Sequence, residues 1–399
     1  MPRRVLSAAL AALALSAALA GCVRNDAAAA GIDVAISDDT CAVSASTSPA
    51  GAVEFRLENT GTDVSEFEIL AEDKLRIAGE KENVTPGQTV SYVAQLEPGT
   101  YFTGCKFQMV GAPIGLTEFT VTGEASTSGD QAAAGEAVTG YLAYVRSQVG
   151  ELVPAVAALA DAYATGDDET ARSLFAAARV PYERIEPTAE AFGDLDPKID
   201  YREVDAVAEG LDWTGFHRIE KDLWPPAAGD LNSDGADALA GWSPSTPEQR
   251  RQFADRLVAD VAQLQELVTE DSFSVTLADI SNGAIALLDE VAVGKISGEE
   301  DWWSHTDLSD FAANVDGASV AFELVRPLAA DSDDGTELTT EISGRFDDLR
   351  ALLAEHGSLE EGFTSYAEVD DASRKTLSDA VNALAEPLSR LTATVLAAQ

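Results

Sequence analysis

The chain has 399 residues, 46% of them hydrophobic, enough to bury more than one ordinary core, so two domains are expected. Its 69 acidic side chains against 26 basic ones leave a formal charge of −43, which argues against any nucleic-acid partner, because phosphates need Lys and Arg. The excess suits a protein that gathers cations, and equally a surface kept soluble by solvated acids.

Residues 1–21 read as a processing segment rather than as fold. Arg3 and Arg4 precede an apolar run over residues 5–20, too short for a comfortable bilayer span, which closes on Leu19-Ala20-Gly21-Cys22. This pattern resembles a bacterial lipoprotein signal peptide with Cys22 as the acyl acceptor. The protein is then expected to be lipid-anchored at the extracytoplasmic face of the cell membrane or in the periplasm, with residues 22–31 as a short anchor linker.

Residues 32–123 alternate with period two. Runs such as Ala52-Val53-Glu54-Phe55-Arg56-Leu57 and Phe67-Glu68-Ile69-Leu70 are divided by Asn59-Thr60-Gly61, Pro86-Gly87 and Pro98-Gly99, which predicts a small β-sandwich. The three histidines, His217, His305 and His356, all lie outside it, so a blue-copper site of two histidines and a cysteine cannot be built from this domain alone. The domain does hold Cys41 and Cys105. Outside the cell they form either a disulfide, worth about 4 kcal/mol on the chain-entropy model, or part of a thiolate metal site.

Residues 124–135 are small and polar and read as an interdomain linker. Residues 136–399 read as helix throughout. A 3.6-residue period recurs over 141–164, 168–192, 247–269, 273–295, 308–328, 338–355 and 372–398, which predicts an all-α bundle of seven or eight antiparallel helices. Pro181 should kink the second of these.

The sharpest chemical motif is Gly215-Phe216-His217-Arg218-Ile219-Glu220. Positions i and i+3 share a helix face, so His217 and Glu220 can converge on one ion. Glu183, Glu186 and Glu190 form a second stripe, easier to explain if a cation or a facing Arg lies among them. Asp255, Glu290 and Asp307 are further acids on or beside predicted helices. Oxygen ligands with one nitrogen favour a hard cation such as Fe(III). Paired E-x-x-H motifs and H-E-x-x-H are both absent, which speaks against a symmetric di-iron oxidase and a zinc peptidase of that type. The loop Asp230-Leu231-Asn232-Ser233-Asp234-Gly235 opens like a calcium loop, but Gly241 stands where the bidentate Glu belongs.

Taken together, these residues resemble the EfeO family, a cupredoxin-like domain followed by an imelysin-like domain also called peptidase M75. In the first domain the resemblance rests on Cys41, Glu66-Phe67-Glu68-Ile69-Leu70, Pro86-Gly87 and the stretch from Pro98-Gly99 to Gly104-Cys105. In the second it rests on Tyr182-Glu183-Arg184-Ile185-Glu186-Pro187, Gly215-Phe216-His217-Arg218-Ile219-Glu220-Lys221, Ala278-Asp279-Ile280-Ser281-Asn282-Gly283-Ala284, Ser304-His305-Thr306-Asp307-Leu308 and Ala313-Asn314-Val315-Asp316-Gly317-Ala318. The resemblance implies capture of Fe(II) or Fe(III) outside the cytoplasm and delivery to a membrane iron permease, beside a haem-containing peroxidase of the dye-decolourising type. It implies His217 and Glu220 as the core of the metal site, with Glu183 and Glu186 near it. It also implies a second site, for copper or zinc, at Cys41, Glu66 and Cys105. The acidic insert after Trp224-Pro225-Pro226 is a departure from the family and leaves Asp255 as the candidate for its downstream aspartate. Two other functions compete: an M75-type metallopeptidase with Glu220 as general base, and a non-catalytic surface binding protein with acidic loops.

Overall fold

The computed structural model describes residues 31–397 apart from 73, 75–76, 109–111, 124–130, 294 and 332. The first part is built from β1 (Ile32–Ile36), β2 (Cys41–Val43), β3 (Thr47–Pro49), β4 (Gly51–Asn59), β5 (Ser65–Leu70), β6 (Ile77–Val84), β7 (Thr89–Leu96), β8 (Gly99–Phe107) and β9 (Ile114–Thr122). Two sheets result, ordered β2-β1-β4-β7 and β3-β9-β8-β5-β6. β1 runs parallel to β4 and β3 parallel to β9, while the other neighbours are antiparallel. Alternation explains the packing. In β4, Val53, Phe55 and Leu57 are buried while Glu54, Arg56 and Glu58 point out. The inward residues of both sheets form one core, in which the Phe55 ring lies 5.1 Å from Phe67 and 5.7 Å from Phe119. All six residues of β5 are buried, so that strand is covered on both faces.

The second part is helical, as expected. It comprises α1 (Gln131–Thr165), α2 (Asp168–Glu183), α3 (Asp196–Ile199), α4 (Glu203–Glu209), α5 (Gly215–Leu223), α6 (Pro247–Thr269), α7 (Leu277–Val293), α8 (Asp307–Ala329), α9 (Asp333–Leu353), α10 (Asp371–Leu388) and α11 (Leu391–Ala397). A single apolar core runs through the bundle. α6 starts where its capping box places it, Thr246 and Gln249 satisfying each other's backbone amides. α1 begins at Gln131, inside the stretch read as linker, because Ala132, Ala133 and Ala134 favour helix. Pro181 lies within α2, and the break comes instead at Pro187, which opens a 3-10 stretch over Glu186–Leu195.

The two parts meet along α7. Asn282 donates to the Val93 carbonyl at 2.7 Å, and Asp289 pairs with Lys81. Among the described residues no helix is long and apolar enough to cross a membrane.

Candidate metal centre

The centre is positioned by a backbone contact. Gly215 opens α5 with φ of 81°, and a Cβ there would overlap the Ile199 carbonyl. Only glycine lets α5 lie so close to the end of α3. Asp200, which follows Ile199, thereby comes beside His217. Every residue of α5 is buried, and His217 and Glu220 share a face as their spacing predicts. His217 Nδ1 is 3.1 Å from Glu220 Oε2 and 3.9 Å from Asp301 Oδ1. Its Nε2 is 3.3 Å from Glu300 Oε1 and 3.5 Å from Asp200 Oδ1. Asp200, His217 and Glu300 thus offer donor atoms within 4.8 Å of one another, and so do His217, Glu220 and Asp301. The other Glu220 oxygen accepts from the Trp303 and Ser304 amides at 3.0 and 2.8 Å.

Behind this centre lies Arg179 of α2, fully buried. It pairs with Glu183 and Asp200, donates from Nε to Asp310 at 3.0 Å, and stands 3.3 Å from Glu300 and 3.7 Å from Asp301. Lys295 bonds Glu183 and Glu186 at 2.8 Å each, and Asn314 Nδ2 reaches Glu186 at 2.8 Å and Glu183 at 3.1 Å. Gly317 allows this approach, since a Cβ on it would overlap the Arg184 carbonyl.

The charges do not balance. Glu183, Asp200, Glu220, Glu300, Asp301, Asp307 and Asp310 are buried acids, faced by Arg179, His217 and Lys295, while the buried Arg218 and Lys221 of α5 pair elsewhere, with Asp222 and Glu203. Burial and the Arg179 charge push His217 down, but hydrogen bonds to Glu220 and Glu300 outweigh them and raise it to about 10, so it is an imidazolium at neutral pH. Burial would raise Glu300, yet Lys295 and His217 hold it well below the usual carboxylate range. Burial carries Asp301 and Asp310 well above that range despite Arg179, and lifts Asp307 to about 7 with help from Glu220 and Glu300. Oδ1 of Asp301, Oδ2 of Asp307 and Oδ1 of Asp310 are buried acceptors without a hydrogen-bond donor. Such atoms cost about 1–3 kcal/mol each, and a cation held between Asp301, His217 and Glu220 would offset the cost at Asp301. A donor set of carboxylate oxygens and one imidazole suits a hard or borderline metal ion.

The expected residues are not all brought together. His217 and Glu220 are at the centre. Glu183 and Glu186 stand beside it and with Asp200 offer donor atoms within 4.8 Å of one another, but α2 ends at Glu183, so they are no helical stripe, and Arg179, Lys295 and Asn314 also bond their oxygens. Asp255 is exposed on α6, because Ala254, Leu257, Val261 and Leu264 turn towards the core and leave it facing solvent. The side chains of Glu190 and Glu290, and Cys22 with the whole leader, lie outside the described residues.

Cys41 and Cys105 are joined in a disulfide, so they supply no thiolate. Cys105 lies opposite Phe67 in the β5–β8 register and shares its core face, which puts Glu66 on the other face of the sheet. The three therefore do not make one site. Glu66 instead gathers with Glu80 and Glu82, and Lys106 stands 2.7 Å from Glu68 and 3.8 Å from Glu66. This cluster has no sulfur or imidazole donor to favour copper or zinc. The calcium-like loop is also closed. Lys221 donates to Asn232 Oδ1 at 3.1 Å, while Asp230, Asp234 and Asp237 accept from amides of their own loop.

Arg179, Asp200, Lys295, Glu300, Asp301 and Asp310 are not singled out by the sequence, and Asn314 only as part of a family block. The Glu299-Glu300-Asp301 run before Trp302-Trp303 is the one local signal that could have drawn attention to the loop.

Sandwich and bundle define a cupredoxin-like domain fused to an imelysin-type helical bundle. The imelysin model, of the peptidase M75 group, matches residues 137–391, and the cupredoxin-like domain model matches residues 5–115. The chain is 37% identical over 395 residues to the iron uptake system component EfeO of Escherichia coli O157:H7, covering 98% of this chain and 96% of that protein. It is 36% identical, with the same coverage, to the proteins of that name from Escherichia coli strain K12 and Shigella flexneri. The chain belongs to the EfeO family of iron uptake system components.

Proposed function

We propose that the chain is an extracytoplasmic iron-binding protein that captures Fe(II) or Fe(III) at the His217 centre and delivers it to a membrane permease. A haem-containing peroxidase of the dye-decolourising type is the second expected partner, and acyl chains on Cys22 are the expected anchor. The observation that carries the reading is His217 itself, whose two nitrogens each face carboxylates, Glu220 and Asp301 on one side and Glu300 and Asp200 on the other. The imidazolium holds the place of a cation. Iron entering between these oxygens displaces its proton and leaves a neutral nitrogen as a ligand, so binding releases protons and weakens as the pH falls. Binding is favoured over peptide hydrolysis because the chain has no H-E-x-x-H motif to pair a two-histidine metal site with a general base. Isothermal titration of the double variant His217→Ala, Glu220→Ala tests the assignment. Stoichiometric iron binding should disappear, and an unchanged affinity would refute it.

A further inference from the structure

We propose that Lys221 is a positioning residue that, through the insert 225–246, clamps the loop whose amides orient Glu220. This rests on the His217 centre being where iron binds. Lys221 follows Glu220 on α5 and is fully buried. Its ammonium pairs with Glu203 of α4 and donates to Asn232 of the insert at 3.1 Å. It also lies 5.0 Å from the Trp303 ring, 5.5 Å from Trp242 and 5.8 Å from Trp213, all within cation–π reach. One charge therefore binds α4, the insert at Asn232 and Trp242, and the 302–304 turn. A second tie runs directly between insert and turn, since the Trp302 indole donates to the Leu231 carbonyl at 2.8 Å. The turn presents the Trp303 and Ser304 amides to Glu220 Oε1, which leaves Oε2 aimed at His217. Asn232 and Ser233 of the insert also line the opening beside His217, Glu220 and Glu300. Burying an ammonium costs several kcal/mol before pairing, which core packing alone does not require.

Loosening the clamp should let Glu220 swing and speed the loss of iron while leaving the ligands in place. The test uses the full, iron-loaded chain with Lys221→Met, which keeps an apolar stem among the indoles, and Trp302→Phe, which removes only the N–H. Stopped-flow mixing with a bipyridyl chelator reads the release rate. Release should be about tenfold faster in Lys221→Met, the lower end of what lost outer-shell support costs a metal site. It should be less accelerated in Trp302→Phe and near the wild-type rate in Lys221→Arg, each variant binding one iron per chain. Wild-type release rates in both Lys221→Met and Trp302→Phe overturn the clamp. Should Lys221→Met not fold, Trp302→Phe decides alone. A wild-type chain that takes up no iron before mixing brings down the proposed function and the clamp with it, an outcome visible before any chelator is added.

Discussion

Two regions of the molecule bury an excess of acids, and they answer it differently. In the sandwich Glu66, Glu80 and Glu82 come from adjacent strands of a single sheet, and two lysines, Lys81 of the same β6 strand and Lys106 of β8, offset their charge. Lys106 faces Glu66 and Glu68, and both Lys81 and Lys106 lower Glu82 against burial. In the bundle Asp200 at the end of α3, Glu220 of α5 and Glu300 and Asp301 of the 300–301 turn close on an imidazole, while Asp310 of α8 meets Arg179. Side chains on one sheet face lie side by side and share a charge laterally. Side chains from separate elements can surround a point, which is what coordination demands. Burying carboxylates is thus not sufficient for a metal centre, and the directions from which they arrive decide the matter.

The comparison breaks first at its arginine. Arg179→Met should cost about 5 kcal/mol, the upper end for removing one partner of a buried ion pair, because five carboxylates lose their common partner. Lys106→Met, at a partly exposed lysine, should cost far less. Denaturant unfolding of both variants checks this, and equal losses would remove the distinction.

A smaller effect separates the regions by pH. Asp307 rises from an ordinary 3.8 to about 7 and His217 from 6.5 to about 10. Both hold protons more tightly when folded, so their stabilisation is complete below the ordinary values and is lost as pH climbs through 7 and then 10. The melting temperature of the metal-free chain should therefore fall by roughly 5 °C between pH 5 and pH 9. Iron, replacing those protons, should flatten the curve, and parallel curves with and without iron would count against proton displacement.

The smallest effect lies in the sandwich. Burial and the charges of Glu80 and Glu82 push Glu66 well above the carboxylate range, so a neutral amide there resembles the form that burial favours. Glu66→Gln should shift stability at pH 5 by less than about 1 kcal/mol and leave iron binding alone. Lost iron would make this cluster part of the uptake chemistry.

Much of this was legible in the residues. Period-two and 3.6-residue patterns marked the sandwich and the long helices, and the i, i+3 spacing put His217 and Glu220 on one face. Asp200, Glu300 and Asp310 escaped notice because they reach the centre through tertiary contacts, between segments far apart in the chain. Asp255 misled because nearness in sequence to the family motif says nothing about which way a helix turns its side chains. The failure of Cys41, Glu66 and Cys105 as one site had a local cause that alternation contains: Glu66 and Phe67 face opposite ways, and Cys105 goes with Phe67.

The contact between Gly215 and the Ile199 carbonyl has a bearing on ionic radius. Asp200 and His217 are spaced by peptide touching peptide, not by adjustable side-chain packing, so the gap between them resists widening. Calcium prefers oxygens at 2.3–2.6 Å in a pliant shell of six to eight, whereas smaller ions sit near 2.0–2.1 Å. A rigid seat of this kind should discriminate by size, and competition titration ought to find iron held firmly in a millimolar calcium background. Gly215→Ala, by prising the two segments apart, should narrow that preference.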